Sequence, residues 1–563
     1  MATVVPKFAG NSNEHPGCAF LCSYELLTDI FQYVLPPDPT TLRADARRLG
    51  QKTLLNLALT CKAFVEPALN ILWFHLESPL QIFHLLPNAR MVNGAHVFHG
   101  SIPPGSPFRT YAARVRSIDF ACSGSTMNLK ASSHLYLSLL QELEGQSIFP
   151  SLKSATLTYQ TNTTDDFLPL PLILCPSVEA ISLHGPGLRN SLFTHYCLPM
   201  IAQKLPSLRR FTMDSTGEVT GDAALLPVRM LPKLEMLNIV LPRATGTITP
   251  NMLYETIAVL PALKSLTLDL HFPNDEVTDA LFQKTSAELN LSHKFQSVHL
   301  VTRRRGGHLC GCLPRFLLEK ATQLTIALPT SLRTASQDYF APLAKALEVT
   351  TAIHTLNVTG AGLVIQHSDV LLPILKTLPL LHTLNIDVNI ATLFPPTPLS
   401  TFITGAFNRP EATSLKTLSL YSPRCALDIY SGITLDTLIA IAKEATGLEH
   451  LSVGLKPLFA QQRMNGKSLA SWLALLQTAG TSRSTLRTLT IFDGSDVRGP
   501  LTVQEADDLA QALDLMFPLL REIRPYEGTG VVDEYWRDRW SRIERLRRMY
   551  QAARLHGWSV GVP

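Results

Sequence analysis

Few stretches of this 563-residue chain carry residue types that could do chemistry. The segment His308-Leu309-Cys310-Gly311-Cys312 brings together one imidazole and two thiols, which are side chains that bind zinc. A structural zinc site needs four ligands in paired spacing, and Cys18 and Cys22 lie far away in the sequence. We therefore interpret residues 308–312 as a loop with ordinary thiols, and we predict neither a metal site nor a cofactor.

Recognisable catalytic motifs are missing from the sequence as well. It contains no glycine-rich phosphate loop, no nucleophile elbow and no H-E-x-x-H pair of metal-binding histidines. Because its histidines and carboxylates are scattered, we predict that the chain is not an enzyme. The run Arg303–Arg305 could act as a nuclear-import signal or a phosphate contact, but a solvated loop is the preferred interpretation.

Composition narrows the classes of partner. The net charge of +4, from 49 basic and 45 acidic side chains, gives no strong attraction for nucleic acid or anionic lipid. Residues 1–16 lack the pattern of a signal peptide, and no uncharged apolar run reaches the length of a membrane span. We expect no nucleic-acid or membrane partner, nine reduced cysteines, and a cytoplasmic and/or nuclear protein.

The strongest pattern is an internal repeat with the frame apolar-x-x-apolar-x-apolar. LPALKSLTLDL begins at Leu260, LPLLHTLNIDV at Leu378 and TLRTLTIFD at Thr485. Thirteen copies follow one another at spacings of 26 to 38 residues. The L-x-L centre has the period of a β-strand, so two apolar side chains point inward and the residue between them points outward.

That central residue is polar in every copy, in a chain that is 46% apolar. One buried face and one solvated face is the simplest explanation. The central residues are Asp119, Thr156, Ser182, Thr212, Asn238, Thr267, His299, Thr325, Asn357, Asn385, Ser419, Ser452 and Thr490. Helical patterns such as 435–445 and 505–517 lie between the strands. We predict an α/β repeat fold, a leucine-rich-repeat-like solenoid with a parallel sheet backed by helices. The alternative is an ordinary α/β domain with coincidental strand similarity.

The two ends of the chain do not follow the repeat. We predict a flexible tail over 1–19, a three-helix module over 20–75, and a linker with the N-terminal flank of the solenoid over 76–112. The solenoid follows over 113–530, and a basic amphipathic helix over 531–563 caps its open end with an aromatic face. The alternative for this last helix is binding to a membrane or to an acidic partner.

In the N-terminal module, an amphipathic helix over 24–34 precedes a polar insertion at 38–52 and two further short helices. The segments YELLTDIF, LLNLALTCKAF and ILWFHL resemble the F-box, as found in fungal F-box proteins with degenerate leucine-rich repeats. Cys22-Ser23 stands where that family usually has Leu-Pro, and Phe64 where it usually has Trp. The resemblance implies that the module binds a Skp-type adaptor and, through it, a cullin. The residues carried over are Leu26, Leu27, Ile30, Phe31, Leu57, Leu59, Cys61, Leu72 and Trp73.

These features predict a substrate receptor of a ubiquitin ligase that binds an unknown client protein on the concave strand face of the solenoid. The candidate client-binding residues are Thr212, Asn238, Thr267, His299, Asn357, Asn385 and Ser419. A second interpretation is a repeat scaffold without a ligase role, in which the N-terminal helices only cap the array. A third is association with nucleic acid or membrane through the C-terminal helix.

Overall fold

The structure is a computed structural model. It describes residues 23–36, 44–92, 95–121, 130–131, 133–160, 164–215, 225–241, 249–270, 284–285, 287–288, 295–301, 314–327, 343–348, 350, 352–359, 372–386, 415–420, 433–455, 468–479, 482–493, 501–525 and 534–556. The predicted tail 1–19 and the segments 303–305 and 308–312 lie outside these residues. The chain divides into two compact units, Met1–Leu234 and Glu235–Pro563.

The first unit begins with a three-helix module. Its helices are α1 (Tyr24–Val34), α2 (Ala44–Thr60) and α3 (Lys62–Leu72). Much of the expected polar insertion at 38–52 is helical, because α2 already includes Ala44 and the following run of strong helix formers. The module has a core of its own, formed by Leu27, Phe31, Leu35, Leu54, Ala68 and Ile71.

A row of parallel strands follows the module directly. The strands of this row are β1 (His75–Leu76), β4 (Ser117–Ala121), β6 (Ser154–Thr158), β7 (Ala180–His184) and β8 (Arg210–Asp214). The expected linker contains a small second sheet of β2 (Ala89–Val92), β3 (Ala95–Phe98) and β5 (Lys130–Ala131). The helices between strands are α4 (Leu80–Phe83), α5 (Pro107–Ala112), α6 (Ser133–Glu142), α7 (Leu170–Ile173) and α8 (Leu198–Lys204). Shorter 3-10 or π turns span Thr164–Phe167, Pro186–Arg189, Phe193–Cys197 and Pro227–Met230.

The second unit repeats the same arrangement with ten described strands, each parallel to the next. They are β9 (Met236–Leu241), β10 (Ser265–Leu270), β11 (Phe295–Val301), β12 (Ala321–Ala327), β13 (Thr355–Thr359), β14 (Thr383–Ile386), β15 (Thr417–Leu420), β16 (His450–Leu455), β17 (Thr488–Asp493) and β18 (Glu522–Pro525). The helices are α9 (Pro250–Ala258), α10 (Arg315–Leu318), α11 (Leu372–Thr377), α12 (Leu435–Glu444), α13 (Leu469–Ala479), α14 (Val503–Met516) and α15 (Glu534–Leu555).

Along the strands, buried and half-buried side chains alternate in the same way as apolar and polar residues alternate in the sequence. Leu266 and Leu268 are buried on either side of half-buried Thr267, and Leu356 and Val358 flank Asn357 in the same way. All thirteen predicted central residues are half-buried between two buried neighbours. The predicted fold class is therefore confirmed in both units: a leucine-rich-repeat-like solenoid of parallel strands backed by helices.

Two helices of the second unit begin at capping residues that are recognisable in the sequence. Thr502 and Glu505 form a capping box at the start of α14, and Thr434 caps α12. Neighbouring helices are tied by side chains, as where Trp472 of α13 donates its ring N–H to Asp436 of α12 at 2.9 Å. Among the described residues, no helix has both the length and the apolar character needed to cross a bilayer.

Candidate functional site

Large apolar side chains remain exposed on the three-helix module. Leu26, Ile30 and Tyr33 of α1 recur at steps of four and three residues and therefore share one face of that helix. Leu55 and Leu59 of α2 are also four residues apart. Tyr33 is 91% exposed and Leu59 is 78% exposed. We call these five residues the module apolar surface; such a concentration of exposed apolar groups is typical of a surface that docks another molecule.

The nine residues that the F-box resemblance assigns to adaptor binding divide into three groups. Leu26, Ile30, Leu59 and Cys61 are exposed. Leu57, Leu72 and Trp73 are half-buried. The other two, Leu27 and Phe31, are each only 3% exposed and belong to the module core, so they hold the helices together and do not face outward.

An aromatic contact explains why Phe31 lies in the module core and does not face solvent. Its ring meets that of Phe64 edge-on, with centroids 5.6 Å apart. In the F-box resemblance, Phe64 stands at the position where that family usually has Trp. Sequence reasoning missed Tyr33 and Leu55, although Tyr33 follows Ile30 by three residues and Leu55 precedes Leu59 by four.

Polar and aromatic contacts fix the module against the strands that follow it. The indole of Trp73 lies on the ring of Tyr111 of α5, with centroids 4.7 Å apart. Arg114 forms an ion pair with Glu66 of α3 at 2.8 Å and also binds the Asn70 side chain. Its guanidinium carbon lies 5.9 Å from the centre of the Tyr111 ring. The module and the first strands therefore have one defined relative orientation.

The backbone continues this connection. The amides of Arg116 and Ser117 both donate to the carbonyl of Phe74, at 2.9 Å each. An open cleft of about 420 Å³ lies between α3 and α5, with Arg114 and Arg116 among its lining residues. Arg116 donates to the carbonyl of Ala113 at 2.8 Å, and Arg114 is engaged with α3, so both cations already serve the junction.

The second surface is the polar strand face, which we define as the row of central strand residues. In the first unit, Asp119, Thr156, Ser182 and Thr212 stand opposite one another in register. The predicted client residue Thr212 is the last of these four. Beside it, the His184 ring approaches the Asp214 carboxylate at 3.4 Å.

In the second unit, taken by itself, the central residues of all ten described strands also stand in register. The residues are Asn238, Thr267, His299, Thr325, Asn357, Asn385, Ser419, Ser452, Thr490 and Arg524. The structure thus places six of the seven predicted client residues in one line. It also adds Arg524 of β18, which the repeat frame did not reveal because Glu522-Ile523-Arg524-Pro525 lacks the second leucine.

Part of this row is a hydrogen-bonded ladder of side chains. The Asn357 amide donates to Thr325 Oγ1 at 3.1 Å, and the Asn385 amide donates to Asn357 Oδ1 at 2.8 Å. Thr325 therefore belongs to the same site, although it was not among the predicted client residues. Because each amide orients its neighbour, the row presents its remaining polar atoms in fixed directions.

His299 is the one titratable residue among the predicted client residues. Burial lowers the pKa of its imidazole, and the nearby Asp269 carboxylate opposes that shift. Its Nε2 atom is buried and has no hydrogen-bond partner in the part of the chain that the structure describes. His299 therefore favours the neutral ring at neutral pH, which keeps the middle of the row uncharged.

Charged or polar residues lie at the border of the polar strand face, three positions before each central residue. We call this line the rim row; in the second unit it consists of Glu235, Lys264, Gln296, Thr322, His354, His382, Lys416, Glu449, Arg487 and Arg521. Lys264 pairs with Glu235 at 3.0 Å and Lys416 with Glu449 at 3.1 Å. The hydrogen bond from Lys416 is the main reason that the pKa of Glu449 is lowered.

The C-terminal helix α15 packs against α14 and the end of β18. Trp540 and Ile543 are buried, and the Tyr550 hydroxyl donates to Asp507 of α14 at 2.7 Å. Burial, together with this bond, raises the pKa of Tyr550 to about 12. Arg547 is fully buried between Glu544 and the Leu520 carbonyl, although it belongs to a helix predicted to be basic and amphipathic. Arg542 and Arg545 remain exposed.

Within the described ranges, no group of three or more His, Cys, Asp or Glu side chains is arranged to hold a metal ion. No model of a known protein family matches the chain, and no curated protein matches it either.

Several solved structures resemble it. A protein from Bacteroides fragilis is 14% identical over 45% of this chain and 69% of its own, with a TM-score of 0.27. The leucine-rich repeat-containing protein LegL7 from Legionella pneumophila is 16% identical over 70% of this chain and 98% of its own, with a TM-score of 0.31. A chain of the yeast Rad7 and Elc1 complex is 15% identical over 65% of this chain and 80% of its own, with a TM-score of 0.25.

Proposed function

We propose that this chain is a substrate-recognition receptor of a Skp–cullin–F-box type ubiquitin ligase. In this proposal the three-helix module binds a Skp-type adaptor, and through it a cullin, while the polar strand face binds a client protein. The observation that carries the proposal is the module apolar surface, the exposed side chains of Leu26, Ile30, Tyr33, Leu55 and Leu59. Exposed apolar area of this kind is removed from water when a partner docks, which is the main driving force of association.

The geometry refines which residues would meet the adaptor. Leu26, Ile30 and Leu59 combine the family match with exposure, so they are the expected contacts. Tyr33 and Leu55 are added to these expected contacts because they are exposed, although the F-box resemblance does not include them. Leu27 and Phe31 have a structural role, since a partner could reach them only if the module opened.

The polar strand face suits a protein client. Its central residues from Asn238 to Thr490 carry no formal charge apart from what His299 gains on protonation, and they offer hydroxyl and amide groups for hydrogen bonds. Such a face fits hydrogen bonding to a polypeptide better than neutralisation of phosphates. The chain itself would perform no chemistry. It would hold a client lysine near the enzymes that transfer ubiquitin, so that proximity does the work.

The rigid junction between the module and the first strands agrees with this role. A receptor must hold its client at a defined distance from the adaptor, and the contacts of Trp73 and Arg114 supply a fixed connection. We place such a receptor in the cytoplasm and/or the nucleus.

A second function is favoured by the same junction. Strand β1, the first of the row, pairs with β4, and Arg47 of α2 forms an ion pair with Glu77 directly after β1, as an N-terminal cap would. The chain would then be a leucine-rich-repeat scaffold without a ligase role.

Binding to a purified Skp-type adaptor separates the two functions. The double variant Leu26→Asp/Ile30→Asp should lose adaptor binding, while Leu475→Asp, an exposed leucine of α13 in the other unit, should bind like wild type. Circular dichroism should show all three proteins equally folded. A wild-type chain that never captures the adaptor rules out the receptor function and leaves the scaffold.

A further inference from the structure

Two adjacent positions of the rim row are occupied by histidines. His354 and His382 precede β13 and β14, and the amide of His382 donates to the carbonyl of His354 at 2.8 Å. Their rings lie side by side, with centroids 5.1 Å apart. The two Nδ1 atoms are separated by 3.2 Å. At other places in the rim row, neighbouring positions pair a cation with an anion, as with Lys264 and Glu235 or Lys416 and Glu449.

The separation of the two Nδ1 atoms matches a coordination geometry. Zinc binds imidazole nitrogen at about 2.0–2.1 Å with tetrahedral angles, which places two such nitrogens about 3.3 Å apart. Both Nδ1 atoms also lie near one backbone oxygen, the carbonyl of Leu380, at 3.1 Å from His354 and 2.7 Å from His382. The two nitrogens therefore converge on one point at the protein surface, and backbone pairing holds the strands that carry them.

We propose that His354 and His382 form a two-histidine site for a divalent transition metal of the zinc class. The two Nδ1 atoms bind the ion through their lone pairs, and a ring hydrogen that lies on Nδ1 before binding moves to Nε2, so the Leu380 carbonyl no longer accepts a hydrogen bond from either ring. Water, or a donor atom of a bound protein, fills the remaining coordination positions. Imidazole ligands favour zinc, copper and nickel over magnesium and calcium, which prefer oxygen.

The charges around the pair are compatible with a cation. The next residue of the rim row, Lys416, is held by Glu449 at 3.1 Å, so an opposite charge compensates its ammonium group. On the other side, the Thr322 hydroxyl donates to the Gln296 carbonyl at 2.8 Å and carries no charge. The site lies wholly in the second unit and does not depend on the proposed ligase function.

Equilibrium dialysis of the full chain against zinc chloride at pH 7.5, followed by metal analysis, tests the site. The proteins compared are wild type, His354→Ala, His382→Ala, the double variant and His450→Ala, which removes a single exposed histidine from β16. Cysteine thiols also bind zinc, but they contribute equally to all five proteins, so the difference between proteins is what counts.

Wild type and His450→Ala should bind one equivalent of zinc more than the double variant. Each single variant should weaken that equivalent by at least about tenfold, because one ligand is lost. Magnesium chloride should give no difference between wild type and the double variant. Because exposed positions can still affect folding, His354→Gln and His382→Gln provide a second pair of variants that keep a polar side chain. Equal zinc binding by wild type and the double variant overturns the proposal, and so does an equal loss in His450→Ala.

Discussion

Asn385 donates its side-chain amide to the side-chain oxygen of Asn357 on the neighbouring strand, at 2.8 Å. Asn357 in turn donates to Thr325 Oγ1, so Asn357 both donates and accepts a side-chain hydrogen bond within the row. Asn357 is therefore the only member of this three-residue ladder whose loss breaks both bonds. The half-buried positions of these side chains mean that water replaces a lost partner incompletely.

Replacing the middle of the ladder should destabilise the second unit more than replacing its end. We expect Asn357→Ala to cost about 1–3 kcal/mol, because two half-buried polar groups lose their partners. Asn385→Ala should cost less, and Ser452→Ala, at the equivalent position of β16, should cost least. Hydrogen exchange of the β12–β14 amides measures the differences. Equal protection in all three variants would show that the ladder contributes nothing to stability.

Gly50 allows α2 to approach the end of α1. A Cβ atom at this position would lie 2.7 Å from the Val34 carbonyl oxygen, which is backbone and cannot rotate away. Alanine is otherwise the better helix former by about 1 kcal/mol. The clash should outweigh that gain, since overpacking typically costs about 1–3 kcal/mol.

We therefore expect Gly50→Ala to reduce the protection of α1 and α2 amides against hydrogen exchange. Gly105→Ala is the matched control, because nothing lies within 4 Å of a Cβ built there. If Gly50→Ala protects these helices better than wild type does, the close approach is not the reason for glycine.

The strands of the repeat could be predicted from the sequence because the pattern that specifies them is local and recurs in every copy. Two inward aliphatics around one polar residue, as in Leu266-Thr267-Leu268, determine both the strand and its face. The first and last strands were not predicted, for two different reasons. Strand β1 has only two residues, and β18 has Arg524 and Pro525 where most other copies have an uncharged polar residue and an aliphatic residue.

Side-chain contacts between distant segments could not be predicted in the same way. The ion pair of Arg114 with Glu66 joins residues 48 positions apart without any periodic signal. The separation of Leu27 from Leu26 into core and surface depends on how α1 rotates against its neighbours, and a stripe of apolar residues does not specify that angle.

Arg547 is a buried cation whose partners come from its own helix and from the segment that precedes β18. It binds Glu544 and donates to the Leu520 carbonyl at 2.9 Å. Breaking a buried pair costs about 3–5 kcal/mol, but Arg548 also binds Glu544, at 2.7 Å, and keeps part of its compensation. Arg547→Met should therefore cost about 3 kcal/mol or less.

The measurement is hydrogen exchange of α14 and α15, with the exposed Arg545→Met on the same helix as control. Loss of protection should be confined to Arg547→Met. Similar behaviour of the two variants would mean that the buried arginine does not anchor the C-terminal helix.

Mild acid should weaken both units through buried histidines. Burial lowers the pKa of His299 in the second unit and of His96 in the first from the ordinary value of 6.5, and His84 lowers the pKa of His96 further. Between each lowered pKa and 6.5 the unfolded chain binds more protons than the folded chain, so the free energy of unfolding falls as the pH falls. Glu449 and Glu179, whose pKa values are lowered from 4.5, contribute in the same direction only at lower pH. Urea unfolding between pH 7.5 and 5.5 should therefore show a loss of stability that His299→Gln and His96→Gln each reduce. A pH dependence identical in wild type and both variants would mean that neither imidazole is held neutral by the fold.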